Sequence, residues 1–379
     1  MDFSLSEEQG MLQDSVSRFV AQDYSFDKRE RIIDSEPGYS PEYWQRFADL
    51  GWLMIPFTEE DGGLGGSAVD LMVLMQEFGK GIVVEPFLAT AVMGGGIIAE
   101  AAGGETKQML LSQLMAGELQ LAFAFNEPQS RYNLADVACR AQREGDEYVV
   151  NGHKAVVLNA PEADELIVVV RTSGEQRDSG GISLLRIPAA SPGLRLQPYA
   201  TVDGQRAADV YFADVRVPAS QLLGTEGSAL AVIEKVIDRA TLAVCAEALG
   251  AMEAALWKTV NYTKTRKQFG VSISSFQALQ HRMADMFIEL EQARSIVQMA
   301  VMQSDANAGV APKAVSAAKS RVGKAARLVG QEAVQLHGGI GVMEELDLGH
   351  YFKRLTTIQF LFGSTDFHTQ RFMDETGSL

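Results

Sequence analysis

Two short segments carry residue types that could hold a phosphorylated ligand. Tyr262-Thr263-Lys264-Thr265-Arg266-Lys267-Gln268-Phe269-Gly270 is a basic run that ends in a Phe-Gly turn. The guanidinium of Arg266 suits a diphosphate through its planar fork of donors. Read alone, the run equally describes a solvated helix end. Gln335-Leu336-His337-Gly338-Gly339-Ile340-Gly341 supplies three glycines, which let a backbone approach a flat or anionic ligand or simply stop a helix. His337 reads there as a cation at a helix end. A third segment, Phe123-Ala124-Phe125-Asn126-Glu127-Pro128, can present backbone N–H and C=O groups to a ring system, or end a strand in a turn.

Other chemistries have no residues to run them. The chain holds no His-Glu-x-x-His, Gly-x-Ser-x-Gly or Walker A sequence, and its five histidines lack ligand spacing. Its two cysteines, Cys139 and Cys245, are far apart, which excludes a zinc or iron–sulfur site and fits a reducing cytoplasm. Lys and Arg number 33 against 49 Asp and Glu, a formal charge of −16, so a nucleic-acid partner is excluded. The acidic N-terminus does not read as a signal peptide, and no run approaches the roughly 18 apolar residues of a membrane span.

The elements that must position these residues fall into three regions. From Ser4 to about Gly117 the apolar period is helical, with Ser4 and Glu7 as a capping box and Met11, Leu12, Val16, Phe19 and Val20 on one face. Glu59 to Gly66 interrupts it as a turn-rich loop. From Leu119 to Pro218 the period is two. Tyr148 to Leu158 reads as a hairpin around Asn151-Gly152, and strands follow at Leu166–Val170, Ile182–Ile187, Leu194–Leu196 and Val210–Val217. From Ser228 the chain is helical again. Leu279, Met283, Met286, Leu290, Ala293, Val297 and Ala300 form a seam, and a second helix starting at Pro312 is rich in Ala and Gly. The expected architecture is multidomain α+β, divided at 1–118, 119–220 and 221–379, without the strand–helix alternation of a Rossmann sheet.

In this order the motifs resemble the acyl-CoA dehydrogenase family over essentially the whole chain. They run from a helical region to a Glu-Pro motif opening a β-region, then Arg266-Lys267-Gln268-Phe269-Gly270, Phe276-Gln277-Ala278-Leu279-Gln280 with Met283-Ala284-Asp285, and Gln-x-x-Gly-Gly-x-Gly. The resemblance implies an N-terminal helical domain, a middle β-barrel and a C-terminal four-helix bundle. It also implies bound FAD, an acyl-CoA substrate, an electron-transfer flavoprotein as acceptor, and a tetramer built as a dimer of dimers. Arg266, Gln268 and Phe269 match the family segment that reaches the FAD diphosphate of the neighbouring subunit. Gln335, Gly338 and Gly339 match the segment on the adenine side of that same FAD.

The segments a family subunit uses on its own flavin depart from the pattern. Thr-Glu-Pro-Gly-x-Gly-Ser-Asp is replaced by Asn126-Glu127-Pro128-Gln129-Ser130-Arg131-Tyr132-Asn133, and the stretch that usually carries Trp and Thr reads Lys154-Ala155-Val156-Val157-Leu158-Asn159. Most members place the base, a glutamate, just before a Gly-Thr pair; Thr356 to Thr365 here holds no carboxylate. Others place it early in the C-terminal domain, near Ala240 in this chain. Asp238 lies close by, beside Arg239, and reads as an anion in the first turn of a helix. Asp366 is the other weak candidate, and Glu247 reads as structural. The resemblance therefore implies an auxiliary subunit of an α2β2 enzyme acting on bulky CoA esters, whose partner, a second acyl-CoA dehydrogenase-like chain, carries the glutamate. The alternatives are a self-sufficient homotetramer with an Asp base and a redox-inactive CoA-ester scaffold.

Overall fold

A computed structural model describes residues 4–306 and 311–375. Ser6 starts the first helix, α1 (Glu7–Gln22): its hydroxyl accepts from Gln9 N–H while the Gln9 side chain accepts from Ser6 N–H. The capping box thus sits two residues beyond the expected Ser4 and Glu7, because the Ser6 and Gln9 pair satisfies both orphan donors. Helices α2 (Phe26–Asp34), α3 (Pro41–Asp49) and α4 (Ala68–Gly81) follow. A π-helical stretch, Leu88–Gly94, runs into α5 (Gly95–Ala101), and α6 (Gly104–Met115) closes the helical region.

The middle region contributes β1 (Leu121–Ala124), β2 (Arg140–Glu144), β3 (Glu147–Leu158), β4 (Glu165–Arg171), β5 (Ile182–Pro188), β6 (Leu194–Ala200), β7 (Arg206–Pro218) and β8 (Leu222–Leu223). They form one sheet in the order β6-β7-β3-β2-β4-β5-β8, with β1 parallel to β4. The hairpin expected around Asn151-Gly152 is absent: β3 continues through both residues. Asn151 is tied to β7 instead, donating to the Asp214 carboxylate at 2.9 Å and accepting from Asp214 N–H at 2.9 Å. Gly152 is needed because a Cβ there would meet Cys139 at 2.6 Å, so the Asn-Gly signal marks a close approach and not a turn. One face of the sheet encloses Val150, Leu166, Val168, Val170, Leu185, Ile187 and Val210.

The C-terminal region is a bundle of long helices: α7 (Leu230–Thr265), α8 (Gln277–Ala306), α9 (Pro312–His337) and α10 (Asp347–Phe360), with the shorter α11 (Thr365–Asp374). Helix α9 packs on α8, α10 and α11, and Met286, Leu290, Ala293, Val297 and Ala300 of the expected seam are buried. Helix α7 is long and apolar enough to cross a membrane, yet 83% of its most apolar window is buried within the protein.

The chain clusters into two compact units. One comprises Met1–Arg31, Ala68–Val83 and Thr241–Leu379 within the described residues. Its α4 and α7 cross where Gly79 and Gly250 face each other. A Cβ on Gly79 would run into the Glu247 carbonyl oxygen, and one on Gly250 into that of Gln76. The other unit comprises Ile32–Ser67 and Val84–Ala240, and holds the sheet together with α3, α5 and α6.

Candidate functional site

The basic run ends α7 and continues as a two-residue hairpin. Strand β9 (Lys267–Gln268) pairs antiparallel with β10 (Val271–Ser272), and both turn residues are left-handed, Phe269 at φ 54° and Gly270 at φ 83°. This is the turn geometry that matches strand twist. Ser272 anchors the hairpin, its hydroxyl lying 2.9 Å from the Thr263 carbonyl and 3.0 Å from that of Lys264. Phe269 stands at the tip, 89% exposed, and Arg266 and Gln268 are also exposed.

The glycine segment closes α9. Gln335, Gly338 and Gly339 are exposed, Gly338 has φ 64° and ψ −144°, and nothing lies within 4 Å of where a Cβ on either glycine would stand. The two segments are brought together by Tyr262, which sequence reasoning did not single out. Its ring stacks on His337 with centroids 4.3 Å apart, and its hydroxyl donates to the His337 carbonyl at 3.3 Å. His337 Nδ1 lies 2.8 Å from the Ala333 carbonyl and so donates to it. Burial pushes the imidazole below its usual range despite that bond, so His337 is neutral at neutral pH, in place of the expected cation.

In the second unit, Glu127 of the Glu-Pro motif is 2% exposed and paired at 2.6 Å with Lys154, which is fully buried. Its carboxylate also accepts from Ala138 N–H at 2.8 Å, Cys139 N–H at 3.1 Å and Gln129 Nε2 at 2.7 Å. Burial alone would raise the Glu127 pKa; the Lys154 ammonium and these donors outweigh it and hold the carboxyl below its usual range. Lys154 begins the Lys154–Asn159 segment, where Val156 is left-handed at φ 54° and 46% exposed. A β-branched residue in that region is strained. Its N–H is held by Asp209 Oδ1 at 3.1 Å, the same oxygen that accepts from the Tyr199 hydroxyl at 3.0 Å. Leu158 stands two residues on, without a hydroxyl.

The carboxylates that could serve as a base lie on α7 and α11. Phe362 occupies the position before Gly363-Ser364, half-buried and left-handed at φ 60°. Asp366 is exposed in the first turn of α11, where it complements the helix dipole. Asp238 belongs to the other compact unit and is 3% exposed. Because α7 begins at Leu230, Asp238 sits two turns into the helix and not in its first turn, so the helix-start reading fails. Glu247 is structural as expected: Arg354 grips both its oxygens, at 2.5 and 2.7 Å. Among the described residues no group of three or more His, Cys, Asp or Glu could hold a metal ion.

Three family models cover most of the chain: the acyl-CoA dehydrogenase N-terminal domain over residues 6–118, the middle domain over 122–215 and the C-terminal domain over 227–375. A probable acyl-CoA dehydrogenase of Bacillus subtilis, YngJ, is 33% identical over 350 residues, 91% of each chain. Among solved structures, the FAD complex of PigA matches with a TM-score of 0.92 at 26% identity, covering 100% of this chain and 99% of that one. The steroid acyl-CoA dehydrogenase Tcur3481-Tcur3483 matches with a TM-score of 0.86 at 28% identity, covering 98% of each chain. With its helical, β-sheet and helical-bundle domains in that order, the chain belongs to the acyl-CoA dehydrogenase family, FAD-dependent enzymes that act on acyl-CoA.

Proposed function

We propose that this chain is the auxiliary subunit of an α2β2 acyl-CoA dehydrogenase and lends FAD contacts to a partner's active site. The observation that carries this reading is Phe362, an aromatic residue where a base is expected, in a stretch from Thr356 to Thr365 without a carboxylate. Arg266, Gln268 and Phe269 would meet the partner's FAD at its diphosphate, and Gln335, Gly338 and Gly339 at its adenine. The donor set fits: an exposed guanidinium and two uncrowded glycines are held side by side by the Tyr262–His337 stack. The chain's own Val156 and Leu158 offer the flavin ring neither an aromatic face nor a hydroxyl.

FAD, when bound, supplies the acceptor for the hydride that leaves the β-carbon of the acyl-CoA. The α-proton must pass to a carboxylate within hydrogen-bonding reach, which the partner, a second acyl-CoA dehydrogenase-like chain, provides. The Tcur3481-Tcur3483 pair, a steroid enzyme, favours a two-chain assembly and a bulky CoA ester. An electron-transfer flavoprotein then receives the electrons. The second reading, a self-sufficient homotetramer, draws on Asp238, a buried carboxylate two turns into α7.

The test is a visible absorption spectrum and a size-exclusion mass of the chain alone, then co-expressed with an acyl-CoA dehydrogenase homologue encoded beside it. A colourless lone chain that becomes a yellow tetramer only with its partner supports the shared site. A yellow homotetramer bleached by an acyl-CoA rejects it and turns attention to Asp238 and Asp366.

A further inference from the structure

Four carbonyls, two in the last turn of α10 and two in the turn that leads to α11, are taken by two buried basic side chains. Lys319, 1% exposed on α9, donates to Ile358 O at 2.8 Å, Gln359 O at 3.2 Å and Gly363 O at 2.7 Å. Its three ammonium protons thus meet three acceptors. His368, fully buried on α11, places Nε2 3.2 Å from Phe362 O. A carbonyl only accepts, so Nε2 carries the proton, and Nδ1 accepts from the Ser316 hydroxyl at 3.3 Å. Gly363 makes room for this arrangement: at φ 137°, a Cβ there would collide with His368 Nε2.

Each part of this turn is costly by itself. An ammonium buried away from water is unfavourable even with its hydrogen bonds complete, and burial pushes Lys319 down to about 8. Burial likewise pushes His368 down to about 3, so it stays a neutral donor. Phe362 adds a left-handed backbone. An ordinary helix end needs none of this, since one left-handed glycine satisfies its carbonyls. Costs concentrated on one short turn indicate that its conformation is what the surrounding helices specify.

We propose that Lys319 and His368 are positioning residues that lock the 361–364 turn, so that the side chain at position 362, where a base is expected, is held in one place. This rests on the reading above that position 362 stands where a base is expected. In this chain the lock presents a phenyl ring; a carboxylate placed on the same backbone would be held equally firmly.

The experiment uses the full chain, assembled with its partner where one is required and loaded with FAD. Lys319→Met removes the ammonium, and Ser316→Ala, a gentler change, removes only the hydroxyl bonded to His368. Amide hydrogen exchange of the peptide spanning 357–365 should accelerate at least about tenfold in Lys319→Met, from the loss of charge-assisted bonds. Peptides from α8 should keep their rates, and Ser316→Ala should show a smaller change confined to the same turn. In a Phe362→Glu background, assembled with a partner whose own glutamate base is replaced by Gln, flavin bleaching by a steroid side-chain CoA ester should appear, and adding Ser316→Ala should lower its kcat by up to roughly 100-fold with KM little changed. Unchanged exchange in the turn, or acceleration shared by all peptides, overturns the lock. Local acceleration with an undiminished kcat overturns the positioning role. Local acceleration with no bleaching in any Phe362→Glu variant overturns the placement of position 362 at a base's site, and the positioning role with it, and leaves the reading of this chain as an auxiliary subunit in place.

Discussion

Replacing Lys154 with Met tests how the Glu-Pro motif is held. The Lys154–Glu127 pair spans 2.6 Å, with side chains 0% and 2% exposed, so neither solvent nor salt can replace the missing partner. The variant leaves a carboxylate that still accepts from Ala138 N–H, Cys139 N–H and Gln129 but has lost its bonded cation. Removing one member of a buried pair costs about 3–5 kcal/mol. In a unit of this size each kcal/mol shifts the midpoint by about 2–4 °C, so the expected drop is roughly 6–20 °C. Urea denaturation of Lys154→Met, Glu127→Gln and the double variant would give the coupling energy. The double variant should be less destabilised than the sum of the singles, because no buried charge is then left alone. The folded pKa of Glu127 is lowered, so the pair's contribution is complete above the usual carboxylate pKa and is lost as pH falls through the lowered folded value. A destabilisation of Lys154→Met below about 1 kcal/mol, the range of an exposed pair, would refute the reasoning, as would additive single variants.

Three other outcomes follow from the geometry. His368 has a folded pKa of about 3 against an unfolded 6.5, so its contribution to stability is complete above pH 6.5 and falls by up to about 1.4 kcal/mol per unit between 6.5 and 3; urea curves of the parent and His368→Asn across that window should converge as the pH drops, and parallel curves would count against it. Gly250→Ala forces a methyl into the Gln76 carbonyl and should cost about 1–3 kcal/mol, read as a fall in thermal midpoint; an unchanged midpoint would mean that α4 and α7 do not approach so closely. Tyr262→Phe keeps the ring stack and loses one hydrogen bond, about 0.5–1.5 kcal/mol, whereas Tyr262→Ala loses both, so FAD retained by the assembled enzyme on gel filtration should fall in the order parent, Phe, Ala. Equal retention would separate the Tyr262–His337 stack from cofactor binding.

The helix, sheet, helix order was legible because each region repeats its own period over many residues, and the buried Met286, Leu290, Ala293, Val297 and Ala300 of α8 are the plainest case. Arg266 and Gln335 were legible as surface candidates because each lies at the end of a long helical period, three or four residues before a glycine. What sequence could not supply were partners brought together only by folding. Lys154 looks like an ordinary strand residue until it meets Glu127, and Lys319 like one more charge on an Ala-rich helix until it meets carbonyls some forty residues on. Local signals failed where tertiary contacts outbid them. Asn151-Gly152 has the chemistry of a turn, but Asp214 and Cys139 claim both residues for a continuous strand. Asp238 sits beside Arg239, as a helix-start anion would, but α7 starts a full two turns earlier.

The three-segment composition of the first compact unit bears on how the chain comes to be folded during synthesis. Residues Ile32–Ser67 and Val84–Ala240 can complete their sheet and helices as soon as Ala240 has left the ribosome. Helices α1 and α4, made long before, pack on each other, but α4 also packs on α8, which lies after Thr241, and the Gly79–Gly250 crossing cannot form until α7 has emerged. The side of α4 that meets α7 and α8 is therefore among the last to be buried, and it waits exposed while most of the chain is translated. Such late, long-range closure slows folding and lengthens exposure to aggregation. A ribosome stalled once Ala240 has emerged should carry a protease-resistant sheet, with the Gly79 side of α4 still open to solvent.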